Sequence, residues 1–497
     1  MTQISTTEEQ RSSTGIPGLD DVLSGGLTPR RLYLVEGEPG CGKTTVSLQY
    51  LLEGVKNGEK CLYVTLSETK DELIAGARSH GWSLDGIEIF ELSLDQQELN
   101  GTRQVTMYSP SEIELTETTR RIMEVVDRIN PSRCAVDSMS ELRLLAQNSL
   151  RYRRQILALK QFFKGRNCTV LLLDDRTSEV ADIQLQSIAH GVLSLEQIAP
   201  LYGAARRRLR VVKFRGTNFR GGYHDFSIMR GGLEVYPRLV AAEHQAMYER
   251  DSIKSGVAAL DTLLGGGPDR GTSTLLIGPA GSGKSTVAVQ YALAAAQRGD
   301  HAAIFCFDET TSTLEARAES LGIRFAAGKK AGQISVQQVD PAELSPGEFA
   351  FLVRRAVERD KARIIVIDSL NGYINAIPGE RYLMAQLHEL LTYLNHRGVT
   401  TLMVVAQQGM VQSTGQSPVD TSYLADSVVL LRYFEHRGTV KKAISVLKKR
   451  TGSHEESIRE LYFDRNGIHL SEPLMQYRGI LTGAPEEIGD AVPERKT

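Results

Sequence analysis

The sequence has no apolar run approaching the roughly 18–20 residues that a bilayer-spanning helix needs, so it predicts no membrane segment. Its first residues, "MTQISTTEEQRSSTG", lack the basic-then-apolar order of a secretory leader. They read as a polar tail, and the expected location is cytoplasmic. Cysteine is scarce. Cys41, Cys61, Cys134, Cys168 and Cys306 are scattered with no C-x-x-C pair, which argues against a disulfide framework. Four lie in or beside apolar runs, as inert buried thiols do, and Cys41 sits in a glycine-rich loop where a small residue suits a tight turn. An excess of positive charge is also missing: the formal net charge is −2, so the chain as a whole makes no electrostatic case for nucleic acid.

What is present is a globular composition, 41% hydrophobic and 24% charged, in a chain of 497 residues that is too long for one ordinary core. The chain is also written twice. "STGIPGLDDVLSGGLTPRRLYLVEGEPGCGKTTVSLQYL" from Ser13 is echoed by "KSGVAALDTLLGGGPDRGTSTLLIGPAGSGKSTVAVQYA" from Lys254, with an offset of 241 between Lys43 and Lys284. Later segments recur in the same order: "CLYVTLSE" with "AAIFCFDE", "SRCAVDSMSEL" with "ARIIVIDSLNGY", "CTVLLLDDR" with "TTLMVVAQQ", "HGVLSLEQI" with "DSVVLLRYF", and "RLRVVKFRGT" with "AISVLKKRTGS". Repeats of this length mark a duplicated domain. Each copy alternates continuous apolar runs with helical patterns, which predicts an α/β fold with a mainly parallel sheet between helices. The last two runs of each copy alternate more strongly and are expected to add in antiparallel fashion. The expected division is a tail over 1–12, a first domain over 13–247, a second over 248–488 and a short tail over 489–497.

Two loops carry the chemistry. "GEPGCGKT" and "GPAGSGKS" both fit G-x-x-x-x-G-K-[ST], each after an apolar run and before a helical pattern. Glycines let successive backbone N–H groups converge on phosphate oxygens, the lysine reaches the outer phosphates, and the hydroxyl binds Mg²⁺. The candidate nucleotide-binding residues are Gly37, Gly40, Cys41, Gly42, Lys43, Thr44 and Thr45 in the first copy. In the second they are Gly278, Gly281, Ser282, Gly283, Lys284, Ser285 and Thr286. About a hundred residues after each loop, Asp137 and Asp368 end apolar runs at the edge where open α/β sheets bind ligands. With Thr44 and Ser285 they are the candidate Mg²⁺ residues. A carboxylate is also needed to orient or deprotonate a nucleophile. After the second run of each copy the second domain has Asp308 and Glu309, whereas the first has Ser67 and Glu68. Ser67 and Asp308 also suit the N-cap of the helix that follows. Glu68 serves only if the strand has ended before it, since neighbours on a strand face opposite sides.

Two units that each open "GLDxxLxGG" or a close variant, with "DS" after the third apolar run and "KFRGT" or "KKRTGS" near the end, resemble the KaiC family over about residues 12 to 485. The resemblance implies tandem RecA-type P-loop ATPase domains with ATP and Mg²⁺ as cofactors, assembled as a homohexameric double ring. It implies that Lys213 and Arg215, and in the second unit Lys448 and Arg450, act as fingers on a neighbouring subunit's phosphates. It also implies serine/threonine autokinase activity in the second unit. "SPVDTSYLADSVVLL" aligns Ser422 and Tyr423 with the family's acceptor pair, with Thr421 adjacent. The tyrosine departs from that pattern. A KaiB-like signalling partner belongs to the same expectation, in circadian-type or stress signalling; the nine residues after "YRGILTGAPEEI" fall short of the family's longer tail. Two other readings stand beside it. One is a nucleotide-gated scaffold with little turnover. The other is a DNA-dependent recombinase or helicase, for which "RRRLR" (Arg206 to Arg210) is the best feature.

Overall fold

The computed structural model describes residues 11–92, 110–176, 183–200, 202–322, 325–375, 382–407, 421–482 and 485–488. Most of the N-terminal tail and the 489–497 tail therefore lie outside the described residues. The chain divides into two compact units, Met1–Arg238 and Leu239–Thr497. The seam suggested by composition near residue 247 falls inside the second unit. Leu239 and Ala241 are buried in its core, and the Ala241 N–H donates to Glu389 Oε1 at 2.8 Å.

In the first unit the strands are β1 (Leu32–Gly37), β2 (Cys61–Thr65), β3 (Ile87–Glu91), β4 (Arg133–Asp137), β5 (Thr169–Asp175), β6 (Gly191–Ile198), β7 (Arg206–Phe214), β8 (His224–Met229) and β9 (Gly232–Tyr236). Among the described residues they form one sheet in the order β3-β2-β4-β5-β1-β6-β7-β8-β9. The second unit repeats it with β10 (Ser273–Gly278), β11 (His301–Cys306), β12 (Ile334–Gln338), β13 (Ala362–Asp368), β14 (Thr400–Ala406), β15 (Ser427–His436), β16 (Thr439–Lys449), β17 (Arg459–Asp464) and β18 (Gly467–Pro473). Their order is β12-β11-β13-β14-β10-β15-β16-β17-β18.

The first six strands of each order are mutually parallel. The penultimate repeated run, β6 or β15, pairs parallel with β1 or β10, so the expectation that it joins antiparallel is corrected. The antiparallel extension is instead three strands long, β7 to β9 and β16 to β18. A strand buried on both faces needs apolar side chains pointing both ways, and β1 supplies them. Tyr33 and Val35 pack with the helix Lys43–Lys56 on one face, while Leu32 and Leu34 pack with Leu142, Tyr152 and Ile156 from the helices Met139–Ala146 and Ser149–Lys164 on the other. The second unit is layered the same way. No helix among the described residues is long and apolar enough to cross a membrane.

The helices after β2 and β11 start on threonines. Thr69 makes a full capping box with Glu72, and Thr310 accepts from the Thr313 N–H. Ser67 and Asp308 are therefore not the caps. Each lies in the bend between strand end and helix start, which frees its side chain for other work.

Candidate functional site

Parallel strands deliver their C-terminal ends to one edge of the sheet, and both glycine-rich loops open there. Each loop turns through a glycine in the left-handed region, Gly42 at φ 106° and Gly283 at φ 105°, immediately before its lysine starts a helix. A side chain at either position would collide with the antiparallel extension: an added Cβ lies 2.6 Å from Ile228 Cδ1 in β8, or 2.4 Å from the Phe463 ring in β17. The extension thus backs the loop, and only glycine fits both the dihedral and the space.

The lysines are buried and fold onto their loops. Lys43 Nζ donates to the carbonyls of Gly37 at 3.0 Å and Glu38 at 2.9 Å, and it forms an ion pair with Asp175 Oδ1 at 2.7 Å. Lys284 Nζ donates to the Pro279 carbonyl at 2.6 Å; burial draws its pKa down to about 8, against the pull of Asp368. Hydroxyl and aspartate meet in both units. Thr44 Oγ1 donates to Asp137 Oδ2 at 3.1 Å, and that oxygen also accepts from Tyr63 OH at 2.6 Å. Ser285 stands near Asp368 and helps to keep its carboxylate charged. Burial raises both carboxyls, and the neighbouring hydroxyls oppose the rise.

The acids after β2 and β11 behave differently. β2 ends at Thr65, whose hydroxyl bonds both the N–H and the carbonyl of Glu68, so Glu68 sits in a bend rather than on a strand. Its carboxyl is raised first by burial and then by the Asp137 charge, although the residue remains open to solvent. In the second unit Ser369 Oγ donates to Asp308, and Glu309 accepts from Arg317 Nη2 at 2.7 Å. Burial lifts the Glu309 carboxyl, and Arg317 pulls against it. With serine at position 67 the first unit lacks the Asp308 contact, and Ser138 pairs with Ser140 instead.

The predicted fingers are not brought to the loops of their own units. Phe214 pairs with Gly191, which lies opposite Tyr33 near the entry of β1, so Lys213 and Arg215 stand at the edge opposite Gly37. Both donate to the Ser187 carbonyl. Lys448 occupies the same place opposite Val428 and Leu275, donating to the Ala425 carbonyl at 2.8 Å, and Arg450 reaches Asp426 and the Tyr423 carbonyl. Tyr423 is exposed at this same edge, in the turn Thr421–Leu424. The side chains of Thr421 and Ser422 lie outside the described residues. "RRRLR" is interior to the sheet as part of β7. Arg208 pairs with Glu196 at 2.9 Å, and both Arg208 and Arg210 lie over the Tyr223 ring.

The domain profile described as "ATPase: KaiC" matches residues 12–240 and again 253–474. This chain belongs to the KaiC ATPase family. It is an ATP-binding, KaiC-like protein with two tandem RecA-type domains. It is 26% identical to the "Circadian clock protein KaiC3" of a Synechocystis species over 98% of this chain and 96% of that protein. To the "Circadian clock oscillator protein KaiC" of a Picosynechococcus species it is 26% identical, over 96% of this chain and 93% of the relative. The protein of that name in Synechococcus elongatus is also 26% identical, over 96% of this chain and 92% of its own.

Within this KaiC frame, three neighbours of the site escape the motif search. Asp175 on Lys43, Tyr63 on Asp137 and Arg317 on Glu309 belong to no motif, while Ser369 on Asp308 is the serine of the second "DS". Only Asp175 left a signal: "CTVLLLDDR" carries two acids, Asp174 and Asp175, where the second unit has Val405 and Ala406. The chemistry of the donor set fits a nucleotide with Mg²⁺. Hydroxyl and carboxylate are hard oxygen ligands, and Mg²⁺ bound to phosphates needs only one or two of them. That agrees with the lack, among the described residues, of any larger His, Cys, Asp and Glu cluster able to hold a metal. Ser282 Oγ in the second loop is buried with no hydrogen-bond partner, a donor left free for a phosphate oxygen.

Proposed function

We propose that the protein is a KaiC-type ATPase working as a homohexameric double ring, with serine/threonine autokinase activity in its second unit, in circadian-type or stress signalling. The observation that carries this reading is the split of each unit between two edges of its sheet. Lysine, hydroxyl and aspartate gather at one edge, and the cationic pair stands at the other, beyond reach of its own loop but presentable to the next copy. A closed ring of such head-to-tail contacts completes every site.

In this reading Gly37 to Thr45 and Gly278 to Thr286 cradle the triphosphate, while Thr44 with Asp137 and Ser285 with Asp368 would hold Mg²⁺. The metal, when bound, neutralises charge on the phosphates. Asp308 and Glu309 accept the proton of the attacking hydroxyl, which belongs to Ser422, Thr421 or Tyr423 of an adjacent copy. Lys448 and Arg450 of that copy stabilise the transferring charge. In the first unit Glu68 orients water, and Lys213 and Arg215 are the fingers. A KaiB-like protein is the partner class that reads the ring, in the cytoplasm; nucleic acid has no part in it.

Incubation of the assembled protein with γ-labelled ATP tests the reading. Wild type should label itself and release phosphate. Asp308→Asn with Glu309→Gln should abolish the label, whereas Glu68→Gln should lower phosphate release and leave labelling intact. Absence of both label and released phosphate from the assembled wild type would overturn both enzymatic assignments.

A further inference from the structure

The two phosphate loops are alike in sequence, but the strand beside each is not. β5 lies next to β1 with Asp175 opposite Gly37, and β14 lies next to β10 with Ala406 opposite Gly278. The first loop therefore has a carboxylate at its lysine where the second has a methyl group. Asp175 is anchored from both sides: Oδ1 pairs with Lys43 Nζ, and Oδ2 accepts from Ser140 Oγ at 3.2 Å. At the position of Ser140 the second unit has Asn371, whose side chain bonds instead to the Ala406 N–H and carbonyl. The ion pair is mostly shielded, with the lysine side chain 8% exposed and the aspartate 26%.

We propose that Asp175 is the counter-ion that sets the nucleotide affinity of the first loop, a positioning residue that the triphosphate must displace from Lys43. This rests on the assignment of Lys43 to the outer phosphates. Polyanionic phosphates and Asp175 compete for one ammonium group, and after displacement the carboxylate remains a few ångströms from negative oxygens. Both effects oppose binding, and the shielding keeps them from being screened away. The second loop carries no such opposition. The internal anion thus holds Lys43 until a triphosphate displaces it, and the first unit should fill at higher ATP concentration than the second.

The test isolates one site at a time in the full chain and reads equilibrium binding of a fluorescent ATP analogue rather than turnover. With the second loop silenced by Lys284→Ala, Asp175→Ala should tighten binding about tenfold, equal to about 1.4 kcal/mol. Asp175→Asn should act in the same direction, and Asp175→Glu should return affinity toward wild type. In the reciprocal arrangement, with Lys43→Ala silencing the first loop, Ala406→Asp should weaken binding at the second by a similar factor. A stability readout separates this role from a merely structural one. Without nucleotide the Asp175→Ala protein should melt earlier than its parent, because Lys43 is left unpaired, and saturating ATP should close the gap. Unchanged or weaker affinity in both Asp175→Ala and Asp175→Asn, with the parent still binding, would overturn the counter-ion role alone. No binding by the Lys284→Ala parent would overturn the assignment of the first loop as well.

Discussion

His224 shows how one side chain makes a unit sensitive to acid. It is buried at the start of β8, where Nδ1 accepts from the Arg238 N–H at 2.9 Å and Nε2 meets the Arg220 carbonyl at 2.9 Å. A second ring proton would face the Arg238 N–H. Burial is the largest cause and, with the Arg220 and Arg238 charges and against the Arg220 carbonyl, draws the pKa down from 6.5 to about 4. The unfolded chain therefore binds a proton more readily between these values, so the stability from neutral His224 is complete above about pH 6.5 and is lost as pH falls toward 4. That stability is of order 3 kcal/mol. Denaturant titration of the first unit between pH 7 and 4.5 should show the loss, and His224→Gln should flatten the slope. At this scale the sequence was legible only where chemistry follows a motif. Lys43, Lys284 and the two hydroxyls could be named from spacing, and the missing acid at Ser67 was visible as a mismatch between copies. Whether Glu68 could stand in for it depended on where β2 stops, which Thr65 decides by wrapping its hydroxyl around the Glu68 backbone.

Among elements, β4 begins on an arginine whose counterpart at the same register of β13 is Ile364. Arg133 is 1% exposed and holds several segments together: it pairs with Glu59 at 2.7 Å, donates to the carbonyls of Ser13 and Tyr50, and lies over the Tyr50 ring. Truncation would leave Glu59 and two carbonyls without their donor. Arg133→Ala should cost about 3–5 kcal/mol in the first unit, measured by denaturant unfolding, while leaving nucleotide binding at the second loop unchanged. The parallel strands were readable because full burial demands continuous apolar runs, as in β1, β5, β13 and β14. The antiparallel extension was not. β8 lies partly open, and its composition does not separate it from loop; it is a strand because β7 offers it a ladder, and β9 pairs in turn with β8. Their role behind the phosphate loop, through Ile228 and Phe463 against Gly42 and Gly283, could be read only from the packed structure.

For the whole molecule, the separation of loop and finger by a sheet gives a complementation test. On the proposed reading, a copy with Lys43→Ala and Lys284→Ala keeps the fingers but no working loop, and a copy with Lys213→Ala, Arg215→Ala, Lys448→Ala and Arg450→Ala keeps the loops but no fingers. Each alone should be inactive, and mixed assemblies should regain ATP turnover, measured as released phosphate. Failure of every mixture to exceed its components would count against completion of sites between copies. Duplication, fold class and the phosphate chemistry were determined by the sequence itself, because repeat order, apolar periodicity and glycine spacing are local patterns that only a few structures satisfy. Which charges meet was decided by the tertiary structure alone. Asp175 is 132 residues from Lys43, and Arg133 is 120 from Ser13; only strand order and register bring these groups within bonding distance. The two loops look equivalent along the chain, and they differ because β5 places an acid beside one and β14 a methyl group beside the other.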